Sequence, residues 1–465
     1  MPTESLPAGQ SASPSIPAPG VRTNYRWVIC ALLFFSTTVN YMDRQVISYL
    51  KPFFCMAVDH GGFGWTNSQF SYLTSFFTGV YACMTIFAGW FIDKIGTKLG
   101  LALSLITWSI FGIANAFVGS LLSMHIAVRS LFAIGEAGNF PASIKTVAEW
   151  FPKRERALAT AIFNGGSNAG AMVAAFVVPS IMVWFGFERG WKIAFIATGA
   201  IGFFWLIFWF AFYNPPSKHP RISKAELDYI HIDDETAADV PTGDKIEKVP
   251  WARLFGYRQL WAFFAGKFMT DGIWWFYLFW LPDYLIKQFN MTEKDVRLPT
   301  FIVYGVSIVG SIYGSSIPLM LIKRGMPVYK ARMTTMFIIA VFPLAVLLTQ
   351  YFGNVNHFGH SAAFLAVAMI AIGATAHQAW SANLFTTVSD MFPKKTIASV
   401  VGIGTMAGGI GGVIIQLLQG KLRDAFIQAP QTAYFIMFIV CALSYLIAWA
   451  IMKALVPRHK PITDL

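Results

Sequence analysis

The chain has 465 residues and is 56% hydrophobic, 16% aromatic and only 12% charged, against about 25% charged residues in an ordinary soluble domain. With a mean hydropathy of +0.55, this excludes a soluble enzyme, a disordered chain and a disulfide scaffold. It points to a polytopic membrane protein in a lipid bilayer, each spanning helix needing about 20 apolar residues. The net charge of +12 does not imply nucleic acid, because Lys and Arg concentrate beside membrane helices on the cytoplasmic side.

Taken in chain order, residues 1–26 read as a flexible cytoplasmic tail, rich in Pro, Ser, Ala and Gly and without the basic start and apolar core of a signal peptide. Apolar runs follow at 27–49, 67–91, 99–119, 122–148, 157–186 and 191–213, forming an N-terminal six-helix domain over 27–213. Their length argues against a β-barrel, whose strands are short and alternating. The stretch 214–256 is polar, with Pro215, Pro216, Pro220 and Pro241, and divides the chain. Six more runs, at 257–287, 299–322, 333–352, 362–389, 396–419 and 432–455, form a C-terminal domain over 257–455, leaving 456–465 as a second tail.

Twelve spans put both termini on one side. The loops holding Lys94, Lys98, Lys153, Arg154, Arg156, Lys323, Arg324, Lys330, Arg332, Lys394 and Lys395 are richer in basic residues than those holding Lys51, Arg189, Lys294 and Arg297, so the termini are expected in the cytoplasm. The halves also repeat. Phe151-Pro152-Lys153-Arg154 and Phe392-Pro393-Lys394-Lys395 each open a Gly-rich helix, and small residues let membrane helices approach closely. The four cysteines, three of them inside apolar runs, suggest no disulfide framework.

The loop after the second run reads Gly89-Trp90-Phe91-Ile92-Asp93-Lys94-Ile95-Gly96-Thr97-Lys98. It resembles the G-x-x-x-D-x-x-G-x-[RK] signature of the major facilitator superfamily. Gly89 would admit a neighbouring helix, Gly96 a tight turn, and Asp93 a cation or helix N-terminus. The resemblance implies an all-α fold of twelve transmembrane helices in two six-helix domains around a central cavity, and it makes Gly89, Asp93, Gly96 and Lys98 a conformational gate. Asn40-Tyr41-Met42-Asp43-Arg44, Arg129, Gly135-Glu136-Ala137-Gly138-Asn139-Phe140-Pro141, the aromatic run from Trp274 to Pro282 and the run from His377 to Phe385 narrow it. They resemble the anion:cation symporter family and, within it, the hexuronate transporters.

Ionisable residues inside apolar runs each cost at least about 2.5 kcal/mol at mid-membrane and are functional candidates. They are Asp43, Arg44, Arg129, Glu136, Lys267 and Asp271. Arg129 and Glu136 lie seven apart, on one helix face but roughly 10 Å from each other. Asp43 and Arg44 are adjacent and address different partners. Asp43 is expected to pair with Arg129, and Arg44 to face the cavity. An Arg suits a carboxylate substrate through its planar fork, and the resemblance gives Arg44 that role. Lys267 is either a second substrate cation or an ion-pair partner for Asp271. Burial raises a carboxyl's pKa and a nearby cation lowers it, which makes Glu136 and then Asp43 candidate proton sites, and the resemblance assigns proton coupling to both.

Neutral candidates for substrate hydroxyls are Tyr81, Asn164, Gln378, Ser381, Asn383 and Thr405, with Trp274 to pack on a sugar ring. Helix packing is the alternative role for each, and the residues of the tenth run cannot all point inward. His125, His377, His357 and His360 show no metal spacing, and Gly402 to Gly412 lack the Gly-Lys-Ser/Thr of a phosphate loop. The expectation is a monomeric inner-membrane transporter without cofactor, importing a sugar acid anion with protons, most simply galacturonate or glucuronate. Alternatives are another organic anion such as galactonate, or anion exchange. No output domain favours a receptor, and no nucleophile–base or metal constellation favours an enzyme.

Overall fold

The computed structural model describes residues 23–232, 250–393, 396–458 and 460–462. Twelve helical spans appear among them. The first half comprises α1 (Tyr25–Phe54), α2 (Asn67–Ile95), α3 (Thr97–Ala114) and α4, made of Leu122–Glu136 and Asn139–Trp150. Its last two spans, within Lys153–Phe212, are parted by a kink at Gly186 with φ 68° into α5 (153–185) and α6 (187–212). The second half comprises α7 (Arg258–Phe289), α8 (Arg297–Lys323), α9 (Val328–Val341, continuing through a 3-10 turn to Phe352), α10 (Ala362–Met391), α11 (Ile397–Ala425) and α12 (Pro430–Leu455). The expected Lys394 and Lys395, most of residues 1–26 and residues 233–249 of the central stretch lie outside the described residues.

Local chemistry sets the boundaries. Thr66 and Gln69 form a reciprocal capping box at the start of α2. Gly96, at φ 86°, turns the chain from α2 into α3, a conformation that favours glycine. Eight described stretches are long and apolar enough to cross a membrane, one of them holding both α5 and α6. The spans that do not qualify are α1, α4 and α7, which carry the intramembrane charges singled out above. Large apolar side chains such as Phe35, Trp184, Ile207 and Ile312 are exposed on the surface, as lipid-facing positions must be.

The two halves are built alike. A Cβ at Gly170 of α5 would overlap the Thr38 carbonyl oxygen of α1, and one at Gly411 of α11 would overlap the Phe268 carbonyl oxygen of α7. The glycines follow the two Phe-Pro motifs by the same interval, and each lets a helix lie directly on a neighbour's backbone. Gly89 does not do this, since a Cβ there meets nothing within 4 Å. The expected helix-approach role is corrected, because this stretch of α2 has no close neighbour at that position.

Among the described residues, hydrogen bonds and ion pairs between the halves lie from mid-membrane to the end opposite the termini. Lys51 of α1 pairs with Asp283 of α7 at 2.7 Å. Asp424 of α11 accepts from the Asn67 and Ser68 backbone N–H groups of α2 at 2.9 and 2.8 Å. Thr74 donates to Gln416 at 3.3 Å and Ser307 to Asn168 at 3.3 Å. The halves are therefore joined by polar contacts at the far end. At the termini end, Glu226 of the short helix Lys224–Ile230 accepts from the Tyr25 and Arg26 backbone N–H groups and from the Arg26 guanidinium. This fastens that part of the central stretch to α1.

Candidate functional site

Arg44 is the centre of the buried polar cluster. Its position on α1 turns it toward the seam between the halves. Its Nε donates to Glu136 Oε2 of α4 at 3.0 Å, and Nη2 reaches Asn40 Oδ1 at 3.4 Å. Four rings surround the guanidinium: Tyr41 at 4.3 Å, Tyr81 at 4.6 Å, Trp275 of the other half at 5.3 Å and Phe77 at 5.6 Å. Cation–π attraction strengthens when the pair is desolvated, and Arg44 and Glu136 are each only 1% exposed. Arg44 thus turns toward the other half with its positive charge already matched by Glu136. The second Glu136 oxygen, Oε1, is buried without a hydrogen-bond partner.

Asp43 and Arg129 do not form the expected pair. Successive helix residues diverge by about 100°, and Asp43 turns into its own half toward the Thr198 hydroxyl and the Trp108 indole. Arg129 instead donates through Nη2 to the Arg44 backbone oxygen at 2.7 Å and lies over the Phe132 and Phe77 rings at 4.2 and 4.8 Å. The distance argument for Arg129 and Glu136 agrees with the structure, in which each finds a different partner.

In the second half, Lys267 and Asp271 pair one turn apart at 2.5 Å, the second of the two arrangements left open above. Lys267 also sits 4.7 Å from the Phe385 ring. Trp274 stacks on His377 at 5.1 Å and 8°, and His377 Nδ1 lies 2.8 Å from the Tyr445 hydroxyl. These contacts give His377 a packing and hydrogen-bonding place. Tyr81, Trp274, Gln378, Ser381 and Thr405 are half-buried and Asn164 is exposed. Thr405 donates to the Val401 carbonyl at 3.0 Å. The Asn383 amide nitrogen donates to the Gly314 and Ala379 carbonyls at 2.8 and 2.9 Å and ties α10 to α8, while its Oδ1 is buried without a hydrogen-bond partner.

The loop signature is held within the first half. Asp93 pairs with Lys145 of α4 at 2.8 Å, and Lys98 donates to Asn214 at 2.9 Å. The far-end cluster escaped the sequence reading. Lys51 was expected in a loop, but α1 extends to Phe54 and buries it. Asp283 follows Pro282 inside the aromatic run of α7, where a carboxylate in an apolar stretch was the available signal. Arg423 Nε lies 3.6 Å from Asp283, and the Tyr434 hydroxyl donates to the same carboxylate.

The profile of the Major Facilitator Superfamily matches residues 33–416. The Hexuronate transporter of Escherichia coli strain K12 is 28% identical over 430 residues, 92% of this chain and 94% of that one. The D-galactonate transporter of Escherichia coli O6:H1 is 28% identical over 428 residues, 91% and 95% of the two chains. A bacterial homologue of the human lysosomal transporter Spinster, solved in an inward-facing and occupied conformation, superposes with a TM-score of 0.70 at 16% identity, covering 93% of this chain and 97% of that one. With this match spanning most of its length and this twelve-helix architecture, the chain belongs to the Major Facilitator Superfamily, a multi-pass membrane transporter built as two six-helix halves.

Proposed function

We propose that this protein imports a sugar acid anion together with protons, with a hexuronate such as galacturonate or glucuronate as the cargo. It works as a monomer in a bacterial inner membrane with both termini in the cytoplasm. The observation that carries this reading is the Arg44–Glu136 pair, buried where the two halves meet. With all four groups charged, Asp43, Arg44, Arg129 and Glu136 sum to zero. A substrate carboxylate on Arg44 adds one negative charge, and a proton on Glu136 removes one while freeing the guanidinium. An uncompensated buried charge costs several kcal/mol, so anion and proton bind as a pair. The neutralised assembly lets the halves rock between the two faces of the membrane. Asp43, buried beside Thr198 and Trp108, is the second proton carrier. Lys267, released from Asp271, is a second anchor for the sugar acid, with Tyr81, Asn164, Trp274, Gln378, Ser381 and Thr405 as ring and hydroxyl contacts. The loop containing Asp93, Gly96 and Lys98 stabilises one conformation of the cycle.

The similarity to hexuronate and D-galactonate transporters supports a sugar acid, and the cytoplasmic orientation rests on the basic loops. The test is uptake of labelled galacturonate into proteoliposomes with and without an inward proton gradient, against unlabelled glucuronate and galactonate. Gradient-dependent accumulation competed best by glucuronate supports hexuronate–proton symport. Competition led by galactonate transfers the reading to aldonates, and gradient-independent counterflow alone replaces symport with exchange.

A further inference from the structure

The far-end seal buries two cations, Lys51 and Arg423, around one carboxylate, Asp283. Lys51, Asp283 and Arg423 are 1%, 1% and 4% exposed, so two cations share one carboxylate in a closed environment. Lys51 also donates to Asn67 Oδ1 at 2.9 Å and lies 4.6 Å from the Trp280 ring. Asp424 is already engaged with the start of α2. Arg423 Nη1 has no hydrogen-bond partner, and neither Gln419 Nε2 nor Oε1, one turn away, has one. Buried donors left unpaired are costly and mark a place where a ligand oxygen fits.

The geometry also points along α1. Lys51 and Arg44 are seven residues apart, two turns or roughly 10 Å on one helix face. Their neighbours Asp283 and Trp275 are eight apart on α7. When the halves part at this end, Lys51 leaves with α1 while Asp283 and Arg423 leave with α7 and α11. Lys51 then has no carboxylate, and Arg423 faces it across the opening. We propose that Lys51 and Arg423 form a carboxylate-receiving site at the outer mouth, which the transported anion occupies before it passes inward to Arg44. This rests on the reading above that the cargo is a carboxylate and that the far end faces outside.

Cys55, half-buried one turn beyond Lys51, is a built-in reporter. In a Cys83→Ser background, which removes the exposed thiol, Cys55 is modified in right-side-out vesicles by impermeant anionic and cationic methanethiosulfonates. The anionic reagent is expected to react roughly threefold faster or more, because Lys51, Lys287 and Arg423 outnumber Asp283 and Asp424 by one charge around the thiol. Arg423→Gln brings the ratio to near one, and Arg423→Lys restores it. In uptake, Arg423→Gln raises the external KM for galacturonate with little change in kcat, while Asp283→Asn, which removes the competing carboxylate, lowers KM. A merely structural latch moves both variants in the same direction. Equal or faster reaction of the cationic reagent, or a ratio indifferent to Arg423→Gln, overturns the proposal. If the thiol ratios behave as expected but the wild type takes up no galacturonate, the substrate reading fails and the anion site stands.

Discussion

Replacing Glu136 by Gln should make this protein bind its anion more tightly while losing the ability to concentrate it. In the empty protein, Arg44 is matched by Glu136 at 3.0 Å with both groups buried. Breaking a buried pair by removing one partner costs about 3–5 kcal/mol. The introduced amide retains a carbonyl oxygen for the Arg44 N–H, so only part of that cost remains. A residual of about 1.4 kcal/mol, recovered when a substrate carboxylate reaches Arg44, already corresponds to a tenfold lower Kd. Wild-type binding carries a proton with it, so its affinity should fall by up to about tenfold per pH unit once Glu136 ionises. Calorimetric titration of purified protein with galacturonate from pH 5.5 to 8 reads both effects. The variant should show a tenfold or greater gain at pH 8 and a flattened profile, with counterflow retained and gradient-driven accumulation lost. A weaker Kd, or an unchanged pH dependence, would refute the competition between Glu136 and the substrate for Arg44.

Three further outcomes follow from the packing. Gly170→Ala should lower thermal stability by about 1–3 kcal/mol through overpacking, because its Cβ overlaps the Thr38 carbonyl. Gly165→Ala, where a Cβ meets nothing within 4 Å, should be neutral or slightly stabilising, and a thermal-unfolding comparison of the two decides. Asp93→Asn removes a pair whose carboxylate is 74% exposed, so stability should change by about 0.5 kcal/mol or less. Any large fall in its uptake rate then reports conformational balance and not misfolding. Burial against Tyr25 and Trp150 holds His219, in the segment after α6, below the usual histidine range. The unfolded chain therefore takes up the proton more readily, and stability falls as pH drops below about 6.5. His219→Phe should flatten that acid limb in melting curves recorded from pH 7.5 to 5.

The architecture was legible because it depends on features that act locally. Long apolar runs form spans, Gly96 turns one into the next, and the Phe-Pro motifs with their glycines announce the repeat. Which charges were unusual was also legible for Arg44, Glu136, Lys267 and Asp271, since a charge in an apolar run is conspicuous alone. Pairing was not. Asp43 and Arg44 differ by one position, and sequence spacing says only that they diverge, so which one meets α4 depends on how α1 is rotated in its bundle. Asn383 illustrates the same limit: its polarity left substrate contact and helix packing both open, and only the structure shows its amide nitrogen donating to Gly314 of α8. Lys51 was misplaced for another reason. The apolar run ends at 49, but the helix continues to Phe54 because Asp283, far along the chain, supplies the counter-charge that keeps the extra turn inside.

That separation along the chain has a consequence for how the protein is made. Arg44 meets its counter-ion 92 residues later in Glu136, and Lys51 meets Asp283 roughly 230 residues later. At about 5–20 residues per second of synthesis, the first helix emerges about 5–18 s before α4 can neutralise it. The wait for α7 is about 12–46 s. Until then it offers lipid a segment with Arg44 unmatched, disfavoured by about 2.5–3.5 kcal/mol near the bilayer centre, and with Lys51 unmatched toward its far end. The ribosome-bound insertion machinery must therefore shelter α1 beside later segments, and release of the first half to lipid becomes a checkpoint set by the arrival of Glu136.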